Sequence, residues 1–429
     1  MPVCRCLALT ASLLLAAGLA RADLTIPGAD GSDGSLHVTA DTVIDLSQAP
    51  TAAWDTASTD VGSNGSNAGN GVYDPDKWAV VFKYASVTVD ADATLTFANH
   101  PSRAPVVWLV SGDVTIDGTV DVGGVDGAVA PGLAEPGPGG FRGGMGYSSG
   151  GAASGSGLGP GGGPVSGDSG YGGSYGAPAH SGSESYGNSS LVPLVGGSGG
   201  GGDGDRSSGG GGGAGALFIA SGATVILNGS IVANGGDRGF FSGNAYYYRP
   251  GGGSGGGLRV VSRELAGNGT MEALGGSSYN VDHDGSVGRI RLEYVTDTSS
   301  LLVTPSPSVV PLTDGSTALI WPPTSAPSAK ILSIGGETVG DDPRASFGTY
   351  GADVAIPDTE STQVIVETIN VEEAAEVYVR VTPRSNAAHQ FIPAALDTVI
   401  SNDPLVVHWT ANIPVDVGYS AIQAKVIRP

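Results

Sequence analysis

Apolar and polar positions alternate through a short phrase that the chain repeats three times. It reads Val114-Thr-Ile-Asp-Gly-Thr-Val-Asp-Val-Gly-Gly124, then Val225-Ile-Leu-Asn-Gly-Ser-Ile-Val-Ala-Asn-Gly-Gly236, then Leu265-Ala-Gly-Asn-Gly-Thr-Met-Glu-Ala-Leu-Gly-Gly276. Each copy is an apolar triplet, an Asp-Gly or Asn-Gly corner, a second alternating triplet and a closing Gly-Gly. Period-two alternation predicts strands on both sides of each corner. Gly, Asn and Asp at the corners suit a backbone that visits positive φ. A further apolar triplet precedes each copy: Val107-Trp-Leu109, Leu217-Phe-Ile219 and Leu258-Arg-Val260. A fourth, Ile290-Arg-Leu292, has no recognisable second half.

A constant phrase joined by connections of unequal length predicts stacked layers with insertions confined to turns, that is, a β-solenoid. Asn-Gly between alternating strands is also a strong hairpin signal, so an antiparallel meander packed as a sandwich is the competing reading. Recurrence of the whole four-part phrase favours the stack, because stacked layers bury like on like. Upstream, Val87–Phe97 reads as a divergent copy with the corner Asp-Ala-Asp-Ala, and Thr42–Leu46 and Trp78–Phe82 read as strands.

These repeats resemble those of secreted bacterial, glycine-rich, right-handed parallel β-helix proteins of the pectin-lyase-like kind, over about Val87–Val295. The resemblance implies a parallel β-helix. Such proteins include polysaccharide lyases and hydrolases as well as adhesins and structural fibres, so architecture alone does not select an activity.

Residues 1–22 read as a signal peptide, with Arg5, an apolar run Leu7–Leu19 and a small-x-small site Ala20-Arg-Ala22. Both cysteines, Cys4 and Cys6, lie within it, so the exported chain is expected to carry neither disulfides nor thiolate metal sites. The solenoid region is expected over residues 23–303, interrupted by a Gly-, Ser- and Pro-rich insert at residues 125–214. The chain holds 73 Gly in 429 residues, about 17% against a typical ~7%. With few large apolar side chains to offset ordering, the insert is expected to be a mobile loop rather than a hydrogen-bonded polyglycine sheaf. Residues 304–328 read as a Pro-rich linker. Residues 329–429 contain six or seven short strand-like runs and are expected to form an immunoglobulin-like β-sandwich with Trp409 as a core aromatic. The fold class is therefore all-β.

The formal charge of −22 becomes −24 once Arg5 and Arg21 leave with the signal peptide. That argues against nucleic acid and anionic membranes as partners, and no later stretch is apolar enough to insert in a membrane. An extracellular glycan or cell-surface component is the expected partner, and the location is extracellular or at the cell surface.

Candidate chemistry is sparse. Asp113 and Asp121 are the carboxylates best placed for glycoside chemistry if the chain is an enzyme. The matching positions on later copies are Thr224, Val232, Glu264 and Glu272, so no catalytic set converges and a non-enzymatic protein is expected. Tyr246-Tyr-Tyr-Arg249 is the best binding candidate, because aromatics with Arg stack on sugars or proteins. Asn280, Asp282 and Asp284 match the opening of a Ca²⁺ loop, but Arg291 stands where the bidentate acid belongs. An acidic turn is the plainer reading, Ca²⁺ is the only ion this spacing invites, and no other cofactor is indicated.

Overall fold

The computed structural model describes the chain except residues 1–23, 56–68, 149–153, 182, 241–248, 345–350, 358–360, 385–388 and 416. It is nearly all β, and no described helix is long and apolar enough to cross a membrane.

The first strands in chain order are β1 (Ser35–Val38), β2 (Thr42–Asp45), β3 (Val72–Asp74), β4 (Ala79–Tyr84), β5 (Ser86–Val89) and β6 (Thr94–Ala98). The first copy of the phrase supplies β8 (Val114–Ile116) and β9 (Thr119–Asp121), preceded by β7 (Val106–Val110). Among its described residues, the strands of the insert are those of one short hairpin, β10 (Val165–Ser166) and β11 (Ser169–Gly170). The later copies supply β12 (Ala216–Leu227) and β13 (Ser230–Val232), then β14 (Gly257–Ala266) and β15 (Thr270–Glu272). Next come β16 (Arg289–Asp297), β17 (Leu302–Thr304) and β18 (Ser308–Pro311).

The two strands of a copy do not pair with each other. Each pairs in parallel with its equivalents in the neighbouring copies, so the hairpin meander is not what forms. Val114 sits beside Val225, and Val225 beside Leu265; Val120 sits beside Ile231, and Ile231 beside Met271. One parallel sheet runs β1-β5-β8-β12-β14-β16-β18 and another β17-β15-β13-β9-β6-β2. Val87–Phe97 joins the stack as β5 and β6, and the layer begun by Ile290 does have a second half, β17, paired with β15. Inward side chains such as Leu95, Val120, Leu227, Ile231 and Met271 fill the space between the sheets.

The triplet before the first copy is shifted by one residue from the expected Val107–Leu109: Val106, not Val107, pairs with Leu217, and Trp108 pairs with Ile219, whereas Leu217, Leu258 and Ile290 lie side by side as expected. β7 is buried along its whole length. Its outer residues Val107 and Leu109 lie under Leu24, Ile26, Ala318 and Ile320. A strand covered on both faces shows no alternation from which to read its phase. Within the expected 304–328 linker, β18 extends the sheet beside β16, and Ala318 N–H bonds to the Thr25 carbonyl.

The insert departs most from expectation. Its described segments are packed, and their order comes from the backbone. The N–H groups of Gly199, Gly200, Gly201 and Gly202 donate in turn to the carbonyls of Leu158, Gly211, Tyr171 and Gly155, so the fourth returns to the segment of the first. Gly209, Gly212 and Gly215 likewise donate to Ala128, Val125 and Val122; Gly210 and Gly213 to Gly144 and Phe141; Gly211 and Ala214 to Gly251 and Ser254. A three-residue period is that of a polyproline-II-like helix, here with three bonded neighbours instead of water. The closing Gly-Gly of each copy leads into this sheaf: Gly236 N–H bonds to Gly212 and Gly276 N–H to Gly253. The mobile-loop expectation fails because it weighed ordering entropy against apolar side chains only. Backbone bonds, each worth about 0.5–1.5 kcal/mol net, and close backbone packing carry the balance instead.

The remaining strands are β19 (Ser328–Ile334), β20 (Glu337–Thr338), β21 (Thr362–Ile369), β22 (Glu376–Pro383), β23 (Gln390–Asn402), β24 (Leu405–Ile413) and β25 (Ser420–Ile427). They form an antiparallel sheet in the order β20-β19-β21-β24-β23-β22-β25. β23 pairs with β22 through its first half and with β24 through its second. Trp409 is buried in the core and donates from Nε1 to Thr368 Oγ1 at 2.8 Å.

Candidate functional site

A cleft of about 470 Å³ opens where the chain after β6, the end of β9 and the segment Glu135–Arg142 meet. Its charged core was missed from the sequence. Glu135 receives Arg103 Nε at 3.0 Å and Arg142 Nε at 2.7 Å. The two arginine side chains are almost wholly buried, while that of Glu135 is 44% exposed. Burial pushes the Glu135 carboxyl up, but the hydrogen bond from Arg142 and the charge of Arg103 outweigh it and hold the group below its usual range. The trio carries one net positive charge. The available signal was the rarity of charge in a Gly-rich tract, where Glu135 and Arg142 stand seven residues apart.

Beside this trio lie His100 and Asn99. His100 stacks on Tyr73 at 4.0 Å, bonds Ser102 Oγ at 2.8 Å, and is pushed down to about 4 by burial, so it is neutral near pH 7. Asn99 gives its amide N–H to the Pro136 carbonyl, and its buried Oδ1 accepts no bond among the described residues.

Asp121 lines the same cleft, with Oδ1 accepting the Gly123 N–H at 2.7 Å. Asp113 does not line it: at the head of β8 it caps the Thr224 N–H of the next layer at 3.0 Å. The two carboxylates belong to strands of different sheets and share no cleft.

Tyr246, Tyr247 and Tyr248 lie outside the described residues. Arg249 anchors the chain just after them: its N–H donates to Asp203 Oδ2 at 2.7 Å, and its guanidinium lies 5.9 Å from the Tyr279 ring. Asp203 is fully buried and also accepts the N–H groups of Asp205 and Arg206. Burial nevertheless pushes its carboxyl up to about 6. Of the Ca²⁺-loop residues, Asn280 Oδ1 caps the Asp282 N–H and Asp284 Oδ1 caps the Ser278 N–H. His283, between Asp282 and Asp284, is buried and stacks on Tyr171 at 4.7 Å. Among the described residues no group of three or more His, Cys, Asp or Glu side chains is placed to hold a metal ion.

A further buried cation joins the C-terminal sheet to the sheaf. The Arg380 guanidinium on β22 donates to the carbonyls of Gly159, Pro160 and Gly162 and bonds His389 Nδ1 at 3.0 Å. Burial lowers Arg380 to about 10, still charged at neutral pH, and burial with the Arg380 charge lowers His389 to about 3.

Compared with known proteins, the chain matches no family model, no curated protein and no solved structure.

Proposed function

We propose that this is a secreted, non-enzymatic extracellular structural or adhesion protein that contacts surface glycans or a cell-surface component. In finer detail, the parallel layers are those of a β-helical solenoid acting as a stalk, and the C-terminal sheet is a sandwich of immunoglobulin-like outline acting as a docking module. The observation that carries this reading is the glycine sheaf. Its interior is backbone bonded to backbone, a construction suited to a stiff, side-chain-poor body. The Arg380 contact supports a display role, since it fixes the C-terminal sheet against that body. The acidic, cysteine-free mature chain suits the extracellular setting.

The purified mature protein should attach to a glycan array or cell envelope without cleaving acidic or neutral polysaccharides in a reducing-end assay. Replacing Tyr246, Tyr247 and Tyr248 with serine should weaken attachment while leaving the thermal midpoint nearly unchanged. Polysaccharide cleavage abolished by Asp113→Ala or Asp121→Ala would replace this reading with a β-helix lyase or hydrolase.

A further inference from the structure

The antiparallel sheet ends on β25 at one edge, and at the other on β19 with only the two-residue β20 beyond it. These edges are not paired with each other. A cavity of about 1180 Å³ lies between the first half of β25, β19 and the segment Gly351–Ile356. Its apolar wall includes Ile331, Ile334, Ile422 and Ala424, which are half-buried against the core of the sheet.

The edge of β25 is unusual for one facing a cavity. Edge strands are normally blunted by proline, charge or a bulge. Ser420-Ala-Ile-Gln-Ala424 has none of these, and the following Lys425 is engaged by Glu184. An antiparallel edge turns one N–H and one C=O outward at every second residue, with side chains alternating between faces. A small apolar ligand would satisfy the wall and leave those backbone groups without partners, whereas an added strand meets both demands. Charge narrows the choice. Asp76, Asp341 and Asp353 line the cavity against a single cation, Lys330, which already pairs with Glu367 at 3.5 Å. A second copy of this acidic chain is a poor match for such a mouth.

We propose that the seam between β19 and β25 receives an extended peptide segment of a partner protein, apolar at alternate positions and flanked by basic residues, which adds a strand to β25. This deepens the display reading by naming the site and partner chemistry of the docking module, and it rests on that reading.

The probe is a fluorescent Lys-Val-Thr-Val-Thr-Val-Lys peptide titrated into the full mature chain. Saturable binding is expected, roughly in the micromolar range. N-methylating alternate amides of the peptide should weaken it at least about tenfold, because strand addition needs those N–H groups. The surface variant Asp76→Lys/Asp341→Lys should also weaken it at least about tenfold with an unchanged thermal midpoint, as expected for loss of charge complementarity. No binding, or binding indifferent to either change, overturns the inference. So does a concentration-dependent dimer in sedimentation that competes with the peptide, which would assign the seam to a second copy. If the peptide fails while the unaltered protein still attaches to envelopes, only this inference falls; if attachment fails as well, the display reading falls with it.

Discussion

Gly229 stands at an Asn-Gly corner, yet its φ is not positive; in that copy and the next, Gly267 is the corner residue with φ +102°. What Gly229 avoids is a collision. A Cβ there would lie 1.9 Å from the Gly118 carbonyl oxygen, and one on Gly269 would lie 2.1 Å from that of Gly229. Glycine stands on glycine because the layers leave no room for a side chain. Asp203 shows the same dominance of burial in electrostatics. Its folded pKa of about 6 lies above an unfolded value of ~3.9, so the folded state binds its proton more readily. The resulting stabilisation is complete below about pH 4 and is lost as pH rises through 6. Between pH 7.5 and 5, wild type should therefore gain about 1–1.5 kcal/mol relative to Asp203→Asn. Paired denaturant titrations at the two pH values check this, and parallel pH profiles would show that Asp203 is not the titrating group.

Among the elements, the sheaf makes the sharpest demand on sequence. A Cβ on Gly211 would fall 1.9 Å from the Gly236 carbonyl oxygen, and one on Gly253 2.0 Å from that of Gly212. Backbone cannot move aside as a flexible side chain can, so Gly211→Ala or Gly253→Ala should cost at least about 3 kcal/mol, at or beyond the upper range for overpacking. Gly340 has nothing within 4 Å of its would-be Cβ and no positive φ, so Gly340→Ala should be neutral or stabilise by up to about 1 kcal/mol. Chemical denaturation of the three variants makes the comparison, and equal small effects would mean that the sheaf is not close-packed. The parallel layers were legible in the repeats because their inner faces alternate, as at Val114 and Ile116. The sheaf was not, because polyglycine carries no periodic side-chain signal and its bonds join segments far apart, such as Gly173 and Ser286 or Gly211 and Gly251. The cleft was hidden for a related reason: Glu135 lies 32 residues from Arg103, within a tract whose path only the sheaf defines.

At the scale of the whole molecule, the question is what holds the C-terminal sheet on the glycine body. Apolar contact there is slight, with Leu158 and Ala421 packed beside Leu133 and Phe141. Arg380 is the central contact, a buried cation with carbonyl and imidazole partners. Its planar fork reaches three carbonyls of one bend, which a lysine ammonium on a flexible stem cannot reproduce. The Gly159 carbonyl also accepts the Gly162 N–H, so Arg380→Met would leave the Pro160 and Gly162 carbonyls without this donor, at about 1–3 kcal/mol for each one kept from water. Undocking is the cheaper response, since it returns them to solvent. Arg380→Met and Arg380→Lys should therefore both raise the radius of gyration in small-angle scattering. Limited proteolysis should then cut between the stacked sheets and the C-terminal sheet earlier than in wild type, while each part keeps its own β signature by circular dichroism. If both variants stay as compact and protease-resistant as wild type, Arg380 is not the clasp, and the sheet is held by its smaller apolar and ionic contacts.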